Sequence, residues 1–349
     1  MLPPELKLIA GPCSAESYEQ LRSVAKELTY YNLFAFRAGI WKPRTQPGAF
    51  EGAGEEGLKW MQEIHAEFNL NLLTEVANAT HVEQALSYGF NTLWIGARTT
   101  SNPFSVQELA DALKGSSTTV LIKNPTNPDL KLWIGGIERL YKAGIVNVIA
   151  VHRGFSTYDK QKYRNLPNWQ IPIALRAEFP NLEIISDPSH IAGIANNVHE
   201  VAQKAIDLKF DGLMIEVHPN PAAAKTDAKQ QLTPEVFKQL IASLNVRSRL
   251  EIDQEEIREI RAQLSIIDEQ LIGLLSSRME LSEKIGAYKK RNNIAIFQPN
   301  QWEEAQAKFL RLAEAAEVST EFALELFKLI HQESIDIQSQ MLHNQNRRD

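Results

Sequence analysis

"LIAGPCSAES", Leu8 to Ser17, is an apolar run that breaks at Gly11-Pro12 and carries the chain's single cysteine just after the break. The run has the length and composition of a buried strand, and the sequence downstream of it decides between two folds. A doubly wound open sheet usually places a Gly-rich phosphate turn, G-x-G-x-x-G, after its first strand. This stretch has none. Apolar or β-branched runs recur beyond it: after Leu6–Ala10 come Leu33–Arg37, Asn71–Glu75, Thr92–Gly96, Val120–Lys123, Val146–Val151, Leu182–Ser186 and Gly212–Val217. Segments of helical periodicity separate them, among them Tyr18–Tyr31, Glu55–Phe68, His81–Tyr88 and Val198–Lys209. Strands alternating with helices imply parallel strands joined by right-handed crossovers. Eight such units over about 245 residues predict an α/β fold of the (β/α)8 TIM barrel type.

The bulk properties bound the rest. A chain of 349 residues is too long for one ordinary domain, so two are expected. Hydrophobic content of 44% with 23% charged residues is that of a soluble globular protein. A net charge of −6 leaves no basic footprint, which argues against nucleic acid as a partner. No apolar stretch is long enough to cross a bilayer, and the start lacks the basic-then-apolar pattern of a leader. One cysteine cannot form an internal disulfide, which fits a reducing compartment and predicts a cytoplasmic protein. The first strand begins almost at once, so no regulatory domain is expected ahead of the barrel.

Active sites of such barrels lie at the C-terminal ends of the strands. Read in order, those ends give Cys13, then Arg37 with "KPRT" (Lys42, Arg44, Thr45), then Glu75 and Arg98 in "IGAR". Lys123, His152-Arg153, His190 in "SDPSH", and Glu216 with His218 in "IEVH" complete the ring. Any one of these alone reads as a surface charge or a satisfied histidine; together they read as a site. Arg37, Lys42, Arg44, Arg98, Lys123 and Arg153 form a cationic set in an acidic protein. Guanidinium groups grip phosphate and carboxylate bidentately and lysine acts as a point charge, so the set predicts substrates carrying two phosphates and a carboxylate. Cys13, His190, Glu216 and the later Asp227 of "AKTDAKQ" offer sulfur, nitrogen and oxygen ligands suited to a divalent first-row metal acting as a Lewis acid.

"GPCSAES", "KPRT", "IGART", "HRGF" and "SDPSH", in this order over about residues 5–245, resemble the 3-deoxy-D-arabino-heptulosonate 7-phosphate (DAHP) synthases of the type I beta subclass. The resemblance implies condensation of phosphoenolpyruvate with erythrose 4-phosphate and release of phosphate, the first step of the shikimate pathway. It implies a divalent metal (Mn, Co, Fe or similar) on Cys13, His190, Glu216 and Asp227. It further implies phosphoenolpyruvate contacts at Arg37, Lys42, Arg98, Lys123 and Arg153, and erythrose 4-phosphate contacts at Arg44 and Thr45. Glu75 and Lys42 are candidates for moving protons. The neighbouring 3-deoxy-octulosonate 8-phosphate synthases share this chemistry but take arabinose 5-phosphate and usually replace "KPRT" with a Lys-Ala-Asn-Arg-like stretch. The intact "KPRT" favours the four-carbon sugar.

After "LIASLNVRSR" the pattern becomes one long helix with apolar residues at Ile257, Ile260, Leu264, Ile267, Leu271, Leu274, Leu281, Ile285 and Tyr288. Alternate steps of three and four make a heptad seam, which implies a partner helix. Arg278 occupies one slot of that seam, and a charge there is costly unless an anion meets it. Lys289 falls within about 20° of the same face, whereas Arg261 lies about 100° away and would more easily face another chain. A later helix, Thr320 to Met341, puts Ser334 in its own seam with Gln338 one turn beyond. On these residues alone, a dimerisation module in which Arg278 fixes register is the better reading. The arrangement over about 252–342, closing in "HQESIDIQ", resembles the all-helical chorismate mutases, three-helix chains that intertwine as dimers. That resemblance implies a clamp on the two carboxylates of chorismate from Arg278 and Arg261 of the partner subunit. Lys289 and Gln338 would serve the ether oxygen, with Ser334 beside them.

Gln298 and Gln301 in "QPNQWEE" stand where many of these mutases have an acid and an arginine, which weakens a substrate contact and leaves Trp302 or Glu303 in the glutamate's place. The expected organisation is a barrel at 1–245, a linker at 246–251 and a helical domain at 252–349. The helical domain makes a homodimer or a tetramer, and its ligand, chorismate or prephenate, feeds back on the barrel. A plain fusion without communication and a purely regulatory helical domain are the alternatives.

Overall fold

The computed structural model describes residues 6–42, 48, 50–158, 161–246 and 255–343. Eight strands pair in chain order and close into a barrel. They are β1 (Lys7–Gly11), β2 (Ala35–Arg37), β3 (Leu72–Val76), β4 (Thr92–Ile95), β5 (Thr119–Lys123), β6 (Val148–His152), β7 (Glu183–Ser186) and β8 (Gly212–Glu216). Every pairing is parallel, and β1 closes the ring on β8 through Lys7↔Gly212 to Gly11↔Glu216. The strands read as continuous apolar runs because both faces are covered. Ile9, Ala35, Leu73, Trp94, Leu121, Ile149, Val151, Ile185 and Met214 fill the lumen. Their alternates, among them Leu8, Phe36, Leu93, Ile122, Ala150 and Leu213, pack outward under the helices.

That alternation positions the site. Gly11, Arg37, Glu75, Gly96, Lys123, Arg153, Asp187 and Glu216 each lie two residues past a lumen residue, so their Cβ positions share the inward parity. The layer above the apolar lumen is therefore almost wholly charged. Gly11 belongs to it for a steric reason: its φ is +144°, and a Cβ there would lie 2.1 Å from the carbonyl oxygen of Arg37.

The helix starts follow their caps. Ser17, Asn78, Asp129, Asp187 and Thr233 each accept a backbone N–H of the first turn, with proline at the start of the Pro188–Ala192 and Pro234–Ser243 helices. Capping accounts for the shifted boundaries. The Asn78 cap starts its helix at Ala79, and Lys209, at φ +60°, lies beyond the end of Val198–Asp207. The second strand is shorter than its apolar run because the Leu33 N–H is spent in a turn on the Tyr31 carbonyl. The sixth begins at Val148 because Val146 is 80% exposed.

The chain divides into two units, Met1–Arg249 and Leu250–Asp349. The described residues of the second form three helices, Glu255–Arg291, Pro299–Ala315 and Thr320–His343. Its first and third helices approach closely at Gly286, where a Cβ would lie 3.2 Å from Gln338 Cα. Phe327 and Ala323 of the third helix are buried, yet the long helix leaves Ile260, Leu264, Leu271, Leu274 and Leu281 more than half exposed. No helix among the described residues is long and apolar enough to cross a membrane.

Candidate active sites

Cys13, His190, Glu216 and Asp227 converge although they come from four parts of the chain. One ligand atom from each lies within 4.8 Å of all the others. Cys13 comes just after β1, Glu216 ends β8, His190 sits in the short helix after β7, and Asp227 stands in the loop after β8. Cys13 Sγ is 3.4 Å from Asp227 Oδ2, and His190 Nε2 is 3.7 Å from Glu216 Oε1. Hydrogen bonds behind them fix the set. Cys13 N–H donates to Gln231 Oε1 at 3.0 Å, Gln230 Nε2 to Glu216 Oε2 at 2.8 Å, and Arg164 Nη1 to Asp227 Oδ1 at 2.9 Å. Asp227 itself is held at φ +45°, a left-handed conformation that aspartate tolerates better than most residues.

The set fits a divalent first-row cation. It offers one thiol, one imidazole and two carboxylates, a mixture that suits such an ion. Burial and the neighbouring Glu216 carboxylate push the Cys13 thiol up to about 12, so a thiolate there requires a cation beside it. Both carboxylates are already anionic. Burial opposes this, but His190 with Arg37 holds Glu216 below the usual carboxylate range, and His190 with Arg164 does the same for Asp227. The other side of the His190 ring faces Asp187, with Nδ1 2.8 Å from Oδ2, the arrangement that orients a metal-binding imidazole.

A cavity of about 350 Å³ opens beside the set, lined by Lys42, Arg98, Lys123, Arg153 and Arg164 along with Glu75. Lys42 extends its ammonium to 3.2 Å from Cys13 Sγ, joining the cationic and ligand groups. Lys123 pairs with the fully buried Asp187 at 2.7 Å. Arg153 donates to Asn165 Oδ1 at 2.8 Å, and burial pulls its guanidinium down to about 10 without discharging it near neutrality. Arg37 is placed differently from the other cations: it is fully buried below the cavity, paired with Glu216 at 3.0 Å and lying 4.8 Å over the Trp94 ring. Its Nε and Nη1 are buried without a hydrogen-bond partner among the described residues. Arg44 and Thr45 lie outside the described residues.

Two members of the sequence ring are structural. His152 has the outward parity; its Nε2 donates to the Pro167 carbonyl, its ring packs among Phe155, Trp169 and Phe210, and burial takes it down to about 4. His218 accepts the Asn220 N–H and faces Glu16 at 3.7 Å rather than the ligand set. Conversely, sequence reasoning missed Asp187, Arg164 and Gln230. Asp187 could have been found by the lumen parity; Arg164 and Gln230 sit on long loops with no periodic signal.

In the helical unit Arg278 meets Ser334, and Gln338 lies against the same long helix at Gly286. Arg278 Nη1 donates to Ser334 Oγ at 2.6 Å, and Lys289 Nζ donates to the Ile296 carbonyl at 2.5 Å. Burial lowers both cations, and among the described residues no carboxylate pairs with either. Arg261 is exposed about 25 Å along the same helix from Arg278, given 1.5 Å per residue, and cannot reach it within one chain. Gln298 edges an apolar hollow with Leu281, Ile285, Tyr288 and Lys289, and Gln301 turns onto Glu304 of its own helix.

Comparison with known proteins adds identity to this geometry. Residues 4–250 match the model of the DAHP synthetase I family, and residues 260–339 match chorismate mutase type II. A phospho-2-dehydro-3-deoxyheptonate aldolase of Thermotoga maritima is 32% identical over 237 residues, 68% of this chain and 68% of that one. A 2-dehydro-3-deoxyphosphooctonate aldolase of Wolinella succinogenes is 28% identical, covering 70% of this chain and 99% of its own. The crystal structure of the Thermotoga maritima DAHP synthase superposes with a TM-score of 0.62 at 29% identity, over 68% of this chain and 67% of that one.

Proposed function

Because the chain belongs to the DAHP synthetase I family and carries a chorismate mutase type II domain, a transferase joined to an isomerase, we propose a metal-dependent, feedback-regulated enzyme with two separate sites. The observation that carries the barrel reading is the sulfur, nitrogen and oxygen set within 4.8 Å, bordering a cavity lined with cations. Arg98, Lys123 and Arg153 hold the phosphate and carboxylate of phosphoenolpyruvate, with Arg37 beneath them and Lys42 beside the ligand set. They bring together two anions that repel in solution, and they stabilise charge as it moves. A divalent cation on Cys13, His190, Glu216 and Asp227 supplies Lewis acidity toward the aldehyde oxygen of the sugar phosphate. Carbon 3 of phosphoenolpyruvate attacks the aldehyde carbon, positive charge grows at carbon 2, water adds there, and phosphate leaves. Lys42 and Glu75 line the same cavity and are the candidates for proton movement.

"KPRT" supports erythrose 4-phosphate, through Arg44 and Thr45, over the five-carbon sugar of the octulosonate relatives. In the helical unit Arg278, Lys289, Ser334 and Gln338 bind chorismate, and Arg261 of the partner subunit completes the clamp in a homodimer; pairs of dimers would give a tetramer. The exposed apolar stripe of the long helix supports that association. A pericyclic rearrangement to prephenate needs only shape and placed charge. Gln298 and Gln301 favour a second reading, in which the helical unit is catalytically weak and mainly senses chorismate or prephenate. The single buried free cysteine supports a cytoplasmic setting.

The deciding experiment monitors phosphoenolpyruvate loss with erythrose 4-phosphate and Mn²⁺, with and without prephenate. Loss that needs the metal and slows with prephenate supports the whole reading. An unchanged rate with prephenate removes the feedback, and no loss in either run removes the barrel assignment.

A further inference from the structure

One polar side chain of the helical site has no part in the scheme above. Phe327, His331, Ser334 and Gln338 recur at steps of four, three and four, so they share one face of the third helix. Ser334 on that face meets Arg278. The His331 ring is fixed by aromatic neighbours on two helices: it stacks on Phe327 at 5.7 Å and 11°, and meets the Trp302 ring edge-on at 6.2 Å. Its Nε2 is buried without a hydrogen-bond partner among the described residues, and so is Gln338 Oε1 on the same face. Buried polar atoms left unpaired are costly and rare in native proteins. Two of them beside two cations that pair with no carboxylate mark a face built to meet a ligand with several oxygens.

We propose that His331 is a substrate-contacting residue of the helical site, its Nε2 hydrogen-bonding an uncharged oxygen of the dianion held by Arg278 and Lys289. This rests on the mutase reading. Burial, Arg278 and Lys289 all keep the imidazole neutral near pH 7. A neutral imidazole within electrostatic reach of both cations adds a directional donor or acceptor without a third positive charge. The carboxylates go to Arg278 and to Arg261 of the partner subunit, the ether oxygen goes to Lys289 and Gln338, and the hydroxyl is left for His331. The contact also answers the departure on the second helix, where Gln301 is turned onto Glu304 and Trp302 offers a ring in place of an acid. The polar contact moves from the second helix to the third.

The test is chorismate turnover by the full chain with His331→Phe, which keeps the aromatic packing but removes the polar atom, and His331→Gln, which restores a donor and an acceptor. The expected result is a loss of about tenfold in kcat/KM for the phenylalanine variant at unchanged Tm, partly recovered by glutamine. Wild-type kcat/KM in the phenylalanine variant overturns the proposal. Should that variant unfold, the wild-type chain labelled with ¹⁵N-histidine is titrated with prephenate. A shifted His331 ring resonance supports the contact, and an unmoved one overturns it. A wild-type chain that neither consumes chorismate nor binds prephenate would instead remove the mutase reading beneath the proposal.

Discussion

At the barrel mouth Arg37 faces Glu216 at 3.0 Å and Lys123 faces Asp187 at 2.7 Å, all four almost wholly buried. In the helical unit Arg278 and Lys289 face a hydroxyl and a carbonyl. The first site has its buried charges neutralised within one chain, so the desolvation cost is offset before substrate arrives. The second leaves two cations, Arg278 partly buried and Lys289 buried, for an anionic ligand to meet, and an apolar stripe for another helix to cover. A closed sheet can assemble a complete polar layer because eight strand ends point to one place. A three-helix unit has only seams to work with, and its polar slots take their value from what binds them.

The contrast can be broken at several points. Cys13→Ala removes a ligand from the proposed metal set, and DAHP formation should fall on the order of 10³-fold or more. Chorismate turnover in the same preparation should change by less than about tenfold, the span of roughly one hydrogen bond. Equal losses would mean that the two sites are not separately built. Arg278→Ala should act in the opposite sense, cutting chorismate kcat/KM by about 10²- to 10³-fold while condensation in the barrel continues. A wild-type chorismate rate would show that the seam arginine only sets helix register.

Acid should also distinguish the units. His152 ordinarily titrates near 6.5, and burial takes it to about 4 in the folded barrel. The folded state therefore favours the neutral ring. The resulting stability is full above pH 6.5 and is lost as the pH falls toward 4, by about 3 kcal/mol in all. Urea unfolding measured at pH 7 and at pH 4.5 should show this loss, and His152→Phe should flatten it. A smaller effect is expected from Asp187→Asn. With its carboxylate gone from behind His190, Mn²⁺ affinity measured by titration without substrates should weaken about 10- to 100-fold. Unchanged affinity would confine Asp187 to serving Lys123.

Much of the barrel was legible because its strands are buried on both faces and appear as plain apolar runs. The ring of charges was legible because it sits at their ends. The face of each residue was harder to read: His152 and Arg153 are adjacent, but only Arg153 continues the parity of Ile149 and Val151 into the site. Arg37 shares the layer of Lys123 and Glu216, yet it is fully buried and held by Glu216 rather than lining the cavity. Arg164 and Gln230 lie on loops whose path depends on contacts far apart in sequence, so nothing local announces them. In the helical unit the heptad steps exposed Arg278 and Ser334 as misfits. His331 passed unnoticed because it is aromatic enough to belong beside Phe327.

Gly11, two residues before the cysteine, is itself no proposed ligand, yet a Cβ at that position would sit 2.1 Å from the Arg37 carbonyl oxygen. Every other amino acid brings that atom, so no amino-acid replacement at this position leaves the first two strand ends in place. The position is closed to mutational drift for a reason that no substrate contact would disclose. A lineage can retune the cations of the mouth one at a time, but it has no neighbouring genotype through which to move the strand crossing beneath Cys13.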